Sequence, residues 1–475
     1  MGSTFGGLNT ALTSLYAQRR GLDISGQNIA NVNTEGYTRQ RVRLAAQTGA
    51  VPGIYTTSDQ VGSGVSVTGV ERGRDVYLEA RSRAEHANSA YLTSQKATYD
   101  GIEGFLAEPS DTAFAARLHD MWDSWNDVAN NWQDPSTRTA LIERSNTVAS
   151  TLNDAHTTLV NQFASNNTQM GAYVDQVNSL AKSIAETNHQ IVIAQQSGVS
   201  SNELQDERDR KIMQLSELTG ATAQATPNGA VNVYVGNTAL VEGFNARSMS
   251  VGSTTLDNLM ATGTKVALQW TDTNLPVAAG GTMGATLDAM NTIIPGILSD
   301  LDAVANALAS AVNTAQTGPP AAYTINGTPG TNFFTSTSGG AITAGTIQVA
   351  ITDPADVAFS SGNPSGTPPM VDHNVADGLV DFGNSGIATG PDAMYQAMIG
   401  RLGVAAQSVA QRSEIQDSVR DQVDTSRNAE SGVNLDEEMT NLLTFQRGYE
   451  AASRVLTTID SMLDQLINRT GMVGR

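Results

Sequence analysis

The C-terminal part of the chain carries an apolar stripe that suits one kind of helix surface. Leu442, Phe445, Tyr449, Ala452, Leu456, Ile459, Leu463 and Leu466 recur at intervals of three and four, and Met439, Leu443, Val455, Met462 and Ile467 widen the row. That spacing keeps side chains on one narrow face of an α-helix, as in a coiled-coil seam. A helix of this kind needs a partner to cover its stripe. The N-terminal end offers one. Across residues 4–32, Phe5, Leu8, Leu12, Leu15, Leu22 and Ile29 follow the same spacing, with Arg19 and Gly26 at the two interrupted positions. Asn31, Asn33, Thr34, Gly36 and Tyr37 then mark a helix end, because Asn and Gly tolerate the left-handed conformation that stops a helix.

Charge agrees with this pairing. Residues 1–50 hold five arginines against Asp23 and Glu35, a net +3, whereas residues 430–475 hold seven acids against four arginines, a net −3. Exposed ion pairs contribute only about 0–1 kcal/mol each. Charge would therefore set alignment, while burial of the two stripes supplies the energy. A two-helix pair leaves apolar edge uncovered, so neighbouring copies are expected to complete it. The plainer alternative is an ordinary intramolecular coiled coil.

Between the ends the organisation is nested. Val42 and Leu44, and then Val61 to Val67, are spaced as strands. Helical spacing runs from Asp75 to Leu106 and stops at Pro109. A further helix covers about Asp111 to Trp132. Asp134-Pro135 then opens a very long helix to about Gln196, with Asp as N-cap and Pro at the first position. Unbroken, it would reach ~90 Å at 1.5 Å per residue, the length of a rod. A shorter helix follows at about Asn202 to Leu218. Residues 220–282 show period-two patterning with turns at Asn228-Gly229 and Gly236-Asn237, which reads as hairpins. Helix resumes from Met283 to Thr314 with an interruption at Pro295-Gly296. Residues 316–391 hold most of the prolines and a few short strand candidates, and the remainder to the C-terminus is helical.

Composition narrows the function classes. The 475 residues suggest roughly three domains at ~150 residues each. The formal charge of −20 argues against nucleic acid and against anionic membrane surfaces. Cysteine is absent, which excludes disulfides, thiolate nucleophiles and Cys-type metal sites. No apolar run approaches the ~20 residues of a membrane span. Met1 to Thr10 lack the basic and apolar regions of a secretory signal, so export would need another route. An aromatic-poor, Ala-rich, charged-polar composition points to long helices on narrow seams.

Catalytic or ligand-binding constellations do not emerge. His86, His119, His156, His189 and His373 lack the spacing of a helical metal site. Glu437-Glu438 and Asp206-Glu207 point in different directions as helical neighbours, and they read as helix N-terminal charges favoured by the dipole. Gly62-Ser63-Gly64 lacks the third glycine of a dinucleotide loop, and no Gly-Lys-Ser/Thr occurs. Trp122, Trp125 and Trp132 lack interleaved basic residues and read as packing side chains. Neither catalytic, cofactor nor metal residues are assigned.

Several blocks resemble the flagellar axial protein family. Ile29-Ala30-Asn31 through Asn33-Thr34, Gly36-Tyr37 is similar to the family signature after the first helix. Ser431-Gly432-Val433, Asp436-Glu437-Glu438-Met439, Asn441-Leu442, Gln446, Tyr449, Ala451 and Val455 are similar to its C-terminal counterpart. Rod and hook subunits share both ends. Tyr37-Thr38-Arg39-Gln40 and Ser431-Gly432-Val433 are closer to the hook-associated members. So are Gly64-Val65 through Arg72 and Asp75, the Asp134-Pro135…Arg138 block, Leu204 through Asp209, and Leu240-Val241-Glu242-Gly243. The family often carries Leu-Asp-Gln-Arg-Asp where this chain has Gln205-Asp206-Glu207-Arg208-Asp209, a departure that leaves the fold reading intact.

The resemblance implies a structural subunit of the bacterial flagellum, not an enzyme, at the extracellular junction of hook and filament. It implies a mainly α fold with inserted β. Residues 1–45 plus 430–475 would form a terminal coiled-coil assembly domain. Residues 46–315 plus 392–429 would form a helical rod domain with a β subdomain at about 220–282, and 316–391 an outer β domain. Implied partners are a ring of like subunits, the hook protein, the second hook–filament junction protein, the type III export apparatus, and a cytoplasmic chaperone on the C-terminal helix. Charge and hydropathy, as above, add the expectation of no nucleic acid and no membrane insertion. A rod or hook subunit stays open as the alternative, as does an activity carried on the 316–391 insert.

Overall fold

The computed structural model describes residues 4–47, 62–252, 254–318, 322–384 and 389–468. In chain order, α1 (Thr4–Ala30) leads into β1 (Gln40–Gln47) and β2 (Gly64–Arg72). Four helices follow: α2 (Val76–Leu106), α3 (Phe114–Asn130), α4 (Pro135–Gln196) and α5 (Asn202–Thr219). Then come β3 (Thr222–Ala225), β4 (Val231–Val235), β5 (Thr238–Glu242), β6 (Asn245–Ala246) and β7 (Met249–Val251). After α6 (Leu256–Thr262) lie β8 (Leu268–Trp270), β9 (Pro276–Val277), α7 (Gly281–Asp288) and α8 (Ile294–Thr317). The chain ends with β10 (Phe334–Ser336), β11 (Ile347–Val349), α9 (Asn374–Asn384), α10 (Pro391–Ser431) and α11 (Leu435–Asn468). The residues fall into two compact units. One comprises Met1–Ala87, Asn178–Arg247 and Asp417–Arg475, and the other Asn88–Val177 and Ser248–Gln416.

The first unit contains two small antiparallel sheets. β1 and β2 form a two-stranded sheet with a register shift between Arg43 and Leu44. β3, β4, β5 and β6 form a meander in chain order. Gly229 and Gly236 take φ of 86° and 58° in its first two turns, as the Asn-Gly and Gly-Asn sequences predict. Ile184, Ile191 and Val192 of α4, Ile212 and Leu215 of α5, and Val233, Val235, Leu240 and Val241 of the meander supply buried apolar side chains.

The second unit is built on a large helical core. Leu118, Met121 and Trp125 of α3, Leu141, Val148 and Leu159 of α4, and Leu301, Val304 and Leu308 of α8 are fully buried in it. The interruption near Pro295 is a π turn at Ala289–Ile293. Proline cannot donate to the carbonyl of residue 291, and a widened turn accommodates the missing bond. Within that turn Asn291 exchanges hydrogen bonds with both backbone groups of Val266, at 2.8 and 2.9 Å. Residues 281–317 are long and apolar enough to cross a membrane by length and composition. The sequence reading missed this because Asp, Asn and Thr interrupt the run. Ile294, Leu298, Leu301, Val304, Leu308 and Val312 of this stretch lie buried in the helical core of the second unit.

Two elements differ from the sequence reading. Residues 256–262, read as part of a period-two stretch, form α6, capped by Thr255 accepting from Asn258 N and ended by Gly263 in the left-handed region. Among its described residues the 316–391 stretch contains one two-stranded sheet, β10 with β11, together with α9. It is sewn to the helices. Asn313 Oδ1 accepts from the backbone N–H of Phe333 and Phe334 at 2.8 Å, and Gln316 Nε2 donates to Ala358 O at 2.6 Å. Phe359 stacks on Trp132, Phe333 packs at a tilt against Trp125, and Phe382 meets Trp122 edge-on. The tryptophans are therefore packing residues.

Candidate assembly interface

α1 and α11 pack together as an antiparallel pair in the first unit. Gly7 meets Ile459, Gly448 meets Gln18, and Gly21 lies under the Phe445 ring. At the far end Asn28 bonds to Glu438. Each step forward on α1 is matched by an equal step back on α11, so the register is constant along the seam. A Cβ at Gly21 would sit 2.6 Å from Phe445 ring carbons, so only glycine lets the ring approach this closely.

The seam is only partly closed. On α1 the buried residues are Ala11, Ala17, Gly21, Ile24, Ser25 and Asn28, whereas Leu8, Leu15, Leu22 and Ile29 are half-buried and Leu12 is 39 % exposed. On α11, Glu438 and Ala452 are buried. Leu442, Phe445, Leu456, Ile459 and Leu463 are half-buried, and Tyr449 is exposed. A second row on α11, Leu435, Met439, Leu443, Val455 and Met462, faces outward. The side chains of Phe5 and Leu466 lie outside the described residues.

The helix-end motif turns the chain toward β1. Asn31 Nδ2 donates to Gln27 O at 3.0 Å, and Thr34 Oγ1 donates to Asn31 Oδ1 at 3.1 Å. Asn33 is exposed. Gly36 has φ +74°, and a Cβ there would fall 2.2 Å from Arg210 Cδ, so conformation and packing both require glycine. Tyr37 OH donates to Asn28 Oδ1 at 2.8 Å. Burial first, then the carboxylates of Asp206, Glu203 and Glu438, push the Tyr37 phenol up to about 12.

Below this turn lies a buried polar clasp. Arg39 donates through Nε to Glu438 Oε1 at 2.7 Å and through Nη1 to Glu437 Oε2 at 2.6 Å. The Glu438 side chain is 2 % exposed, that of Arg39 9 % and that of Glu437 58 %. Asn28 Nδ2 donates to Glu438 Oε2 at 3.1 Å and to Gln40 O at 2.9 Å, and Asn28 Oδ1 accepts from Gln40 N at 3.0 Å. The backbone holds the same junction, since Arg39 N donates to Ser431 O at 2.9 Å and Gly73 N to Arg39 O at 2.7 Å. Burial works against the Arg39 charge, but its hydrogen bonds to Glu437 and Glu438 outweigh it and raise the guanidinium pKa. Beside the clasp an open groove of about 680 Å³ is lined by Gly21, Ile24, Val42, Thr440, Asn441 and Phe445 among others.

A second ionic cluster joins β2 to α5. Arg72 Nη1 donates to Asp206 Oδ1 at 2.6 Å and to Asp209 Oδ2 at 2.9 Å, and Thr38 N donates to Asp206 Oδ2 at 3.1 Å. Burial raises the Asp206 carboxyl despite the opposing pull of Arg72. From α5 the cluster reaches the meander. Arg208 donates to Asn188 Oδ1 at 3.2 Å and to Gly229 O at 2.8 Å, while Asn188 Nδ2 holds Val231 O and Gly243 O, both at 2.8 Å.

The sequence reading of Glu437-Glu438 and Asp206-Glu207 as simple helix N-terminal charges needs correction. Glu437 is exposed and Glu207 half-buried, and Glu207 pairs with Lys211 at 2.7 Å. Glu438 and Asp206 are buried partners of arginines. The signal was present: Glu438 lies four residues before Leu442 and seven before Phe445, on the apolar seam itself. Among the described residues there is no cluster of His, Asp and Glu suited to a metal. His86 is bracketed by Glu217 at 2.9 Å and Asp424 at 2.8 Å. What the arrangement offers is a fixed joint between two helices, two strands and α5, with apolar edge left open.

The comparisons place both ends of the chain in one class. A family profile described as "Flagella basal body rod protein" matches residues 8–38, and one described as "Flagellar basal body rod FlgEFG protein C-terminal" matches residues 427–469. The terminal pair thus defines a flagellar axial protein. Between them, "Flagellar hook-associated protein FlgK helical domain" matches residues 99–334. Flagellar hook-associated protein 1 of Bacillus subtilis is 31 % identical over 516 aligned residues, covering 100 % of both chains. The protein of that name from Escherichia coli is 26 % identical, covering 97 % of this chain and 99 % of its own. The chain belongs to the flagellar hook-associated protein 1 family, structural proteins of the hook–filament junction. In fold it is similar to the flagellar hook junction protein FlgK from Burkholderia pseudomallei, with a TM-score of 0.62 at 16 % identity over 74 % of this chain and 99 % of that one.

Proposed function

We propose that the protein builds a ring of like subunits by closing its half-open α1–α11 seam against neighbouring copies. The observation that carries this reading is the seam's exposure. Leu12 on α1 and the outward row of α11 leave an apolar surface along most of the pair. Monomeric soluble proteins rarely leave contiguous apolar surface of that extent uncovered. In this reading residues 1–45 plus 430–475 are the assembly domain, the helical part at 46–315 plus 392–429 is a rod domain, and 316–391 faces outward. The ring joins the hook protein on one side and the second hook–filament junction protein on the other, outside the cell. Export through the flagellar type III apparatus brings it there, and a cytoplasmic chaperone covers α11 beforehand.

Substituting Leu12→Asp or Leu456→Asp tests the assembly reading. Each variant should keep the second unit folded by near-UV circular dichroism yet fail to complete the junction. A variant that still supports a working hook–filament junction refutes it. Deleting residues 430–475 should abolish capture of the chaperone, and retention refutes its placement on α11.

A further inference from the structure

We propose that the buried Arg39–Glu438 ion pair, with Asn28 beside it, selects the sliding register of α1 against α11. The apolar seam alone selects it poorly. Its residues repeat at three and four, so a slide of seven positions brings apolar side chains opposite apolar side chains again. Most of them are half-buried in the aligned pair, so apart from the Gly21–Phe445 fit a slide forfeits little apolar contact. The clasp does not slide. Arg39 is anchored by backbone bonds to Ser431 and Gly73, outside both helices. Asn28 has its amide committed to Gln40 and Glu438 together. A slide of seven in one direction places Glu438 over Gly21, away from its guanidinium. In the other direction it carries Glu438 beyond the end of α1, opposite residue 35. A single polar group on an apolar seam that fixes alignment is the best-attested use of such buried charges. This inference concerns contacts within one chain and does not depend on ring formation.

The chain has no cysteine, so an introduced pair is its only pair of thiols. The experiment uses the full chain, dilute and monomeric. Gln18→Cys with Gly448→Cys reports the observed register, since a Cβ at Gly448 would lie 2.7 Å from Gln18 Cδ. Gln18→Cys with Val455→Cys or with Asn441→Cys reports slides of seven. With Arg39 and Glu438 present, the shifted pairs should oxidise at least about tenfold more slowly than the aligned pair. In the Arg39→Leu/Glu438→Leu background that preference should collapse to within about threefold, and in the exchanged Arg39→Glu/Glu438→Arg background it should return. A preference that survives in the double-leucine background, or fails to return on exchange, overturns the proposal. Should the double-leucine chain lose hydrogen-exchange protection in α1 and α11, the same pairs are read in Glu438→Gln, which keeps the shape. Mixed registers there support the proposal, and the aligned register alone overturns it.

Discussion

Replacing Glu438 by alanine should unlatch the terminal helix pair, whereas replacing Glu437 should change its stability little. The two residues share their chemistry and are adjacent in sequence, so the difference lies in their surroundings. Glu438 is 2 % exposed and accepts from Arg39 and Asn28 at 2.7 and 3.1 Å. Its loss leaves a guanidinium that is 9 % exposed with only Glu437 as counter-charge. Removing one partner of a buried pair costs about 3–5 kcal/mol. Glu437 is 58 % exposed, and water competes for its bond, so its loss costs about 0–1 kcal/mol. Trp122, Trp125, Trp132 and Trp270 all belong to the second unit, so tryptophan fluorescence does not report on the pair. Hydrogen exchange of α1 and α11 peptides read by mass spectrometry does. At 1.4 kcal/mol per factor of ten, Glu438→Ala should accelerate exchange by about 10²- to 4 × 10³-fold, up to the limit set by the pair's own stability, and Glu437→Ala by less than about tenfold. Equal effects for the two substitutions would refute the assignment of the buried charge as the latch.

Gly36→Ala should destabilise the first unit by about 1–3 kcal/mol, because it places a side chain at positive φ against Arg210. Gly26→Ala, in a helix interior with open space around it, should stabilise by about 0.5–1 kcal/mol, and denaturant titration followed by exchange compares the two. Hydrogen bonding to Glu217, opposed by burial and assisted by Asp424, raises the His86 pKa above its ordinary 6.5. The stabilisation is therefore complete below the unfolded value and is lost as pH rises through the folded one. The protection difference between the native chain and His86→Gln should shrink from acid to alkaline pH, and a difference that grows instead would refute the pairing. Asn188→Ala removes the partners of Val231 N, Val231 O and Gly243 O, so the meander should lose about 3 kcal/mol or more, at about 1–3 kcal/mol per orphaned group. Exchange of residues 222–246 reads that loss.

The long helices and the hairpin turns were legible because their signals are local. Asp134-Pro135 opens α4, Asn228-Gly229 turns the meander, and the three-and-four spacing announces α1 and α11. α6 was hidden by its length, although Thr255 and Gly263 carried cap signals at both ends. The fully buried face of α1 was also hidden. Its small residues, Ala11, Ala17, Gly21 and Ser25, read as neutral in sequence and become the contact surface because they let α11 approach. The clasp was half legible. Arg39, Arg72, Asp206 and Glu438 all lie in the blocks that carried the family resemblance, but pairing partners so distant in the chain leave no periodicity to read. How residues 316–391 are anchored rests on Asn313, Gln316 and Arg138, whose Nε donates to Pro354 O at 2.8 Å, polar side chains whose backbone partners no local pattern announces.

Asn28 and Glu438 touch across a sequence separation of 410 residues. Contacts this remote form late, because an enormous loop must close before they are rewarded. A chain that emerges N-terminus first therefore holds its opening helix in waiting until nearly everything else has been delivered. Completion of the beginning is decided by arrival of the end, and a molecule cut short before residue 435 advertises its defect through an orphaned helix that proteases can find.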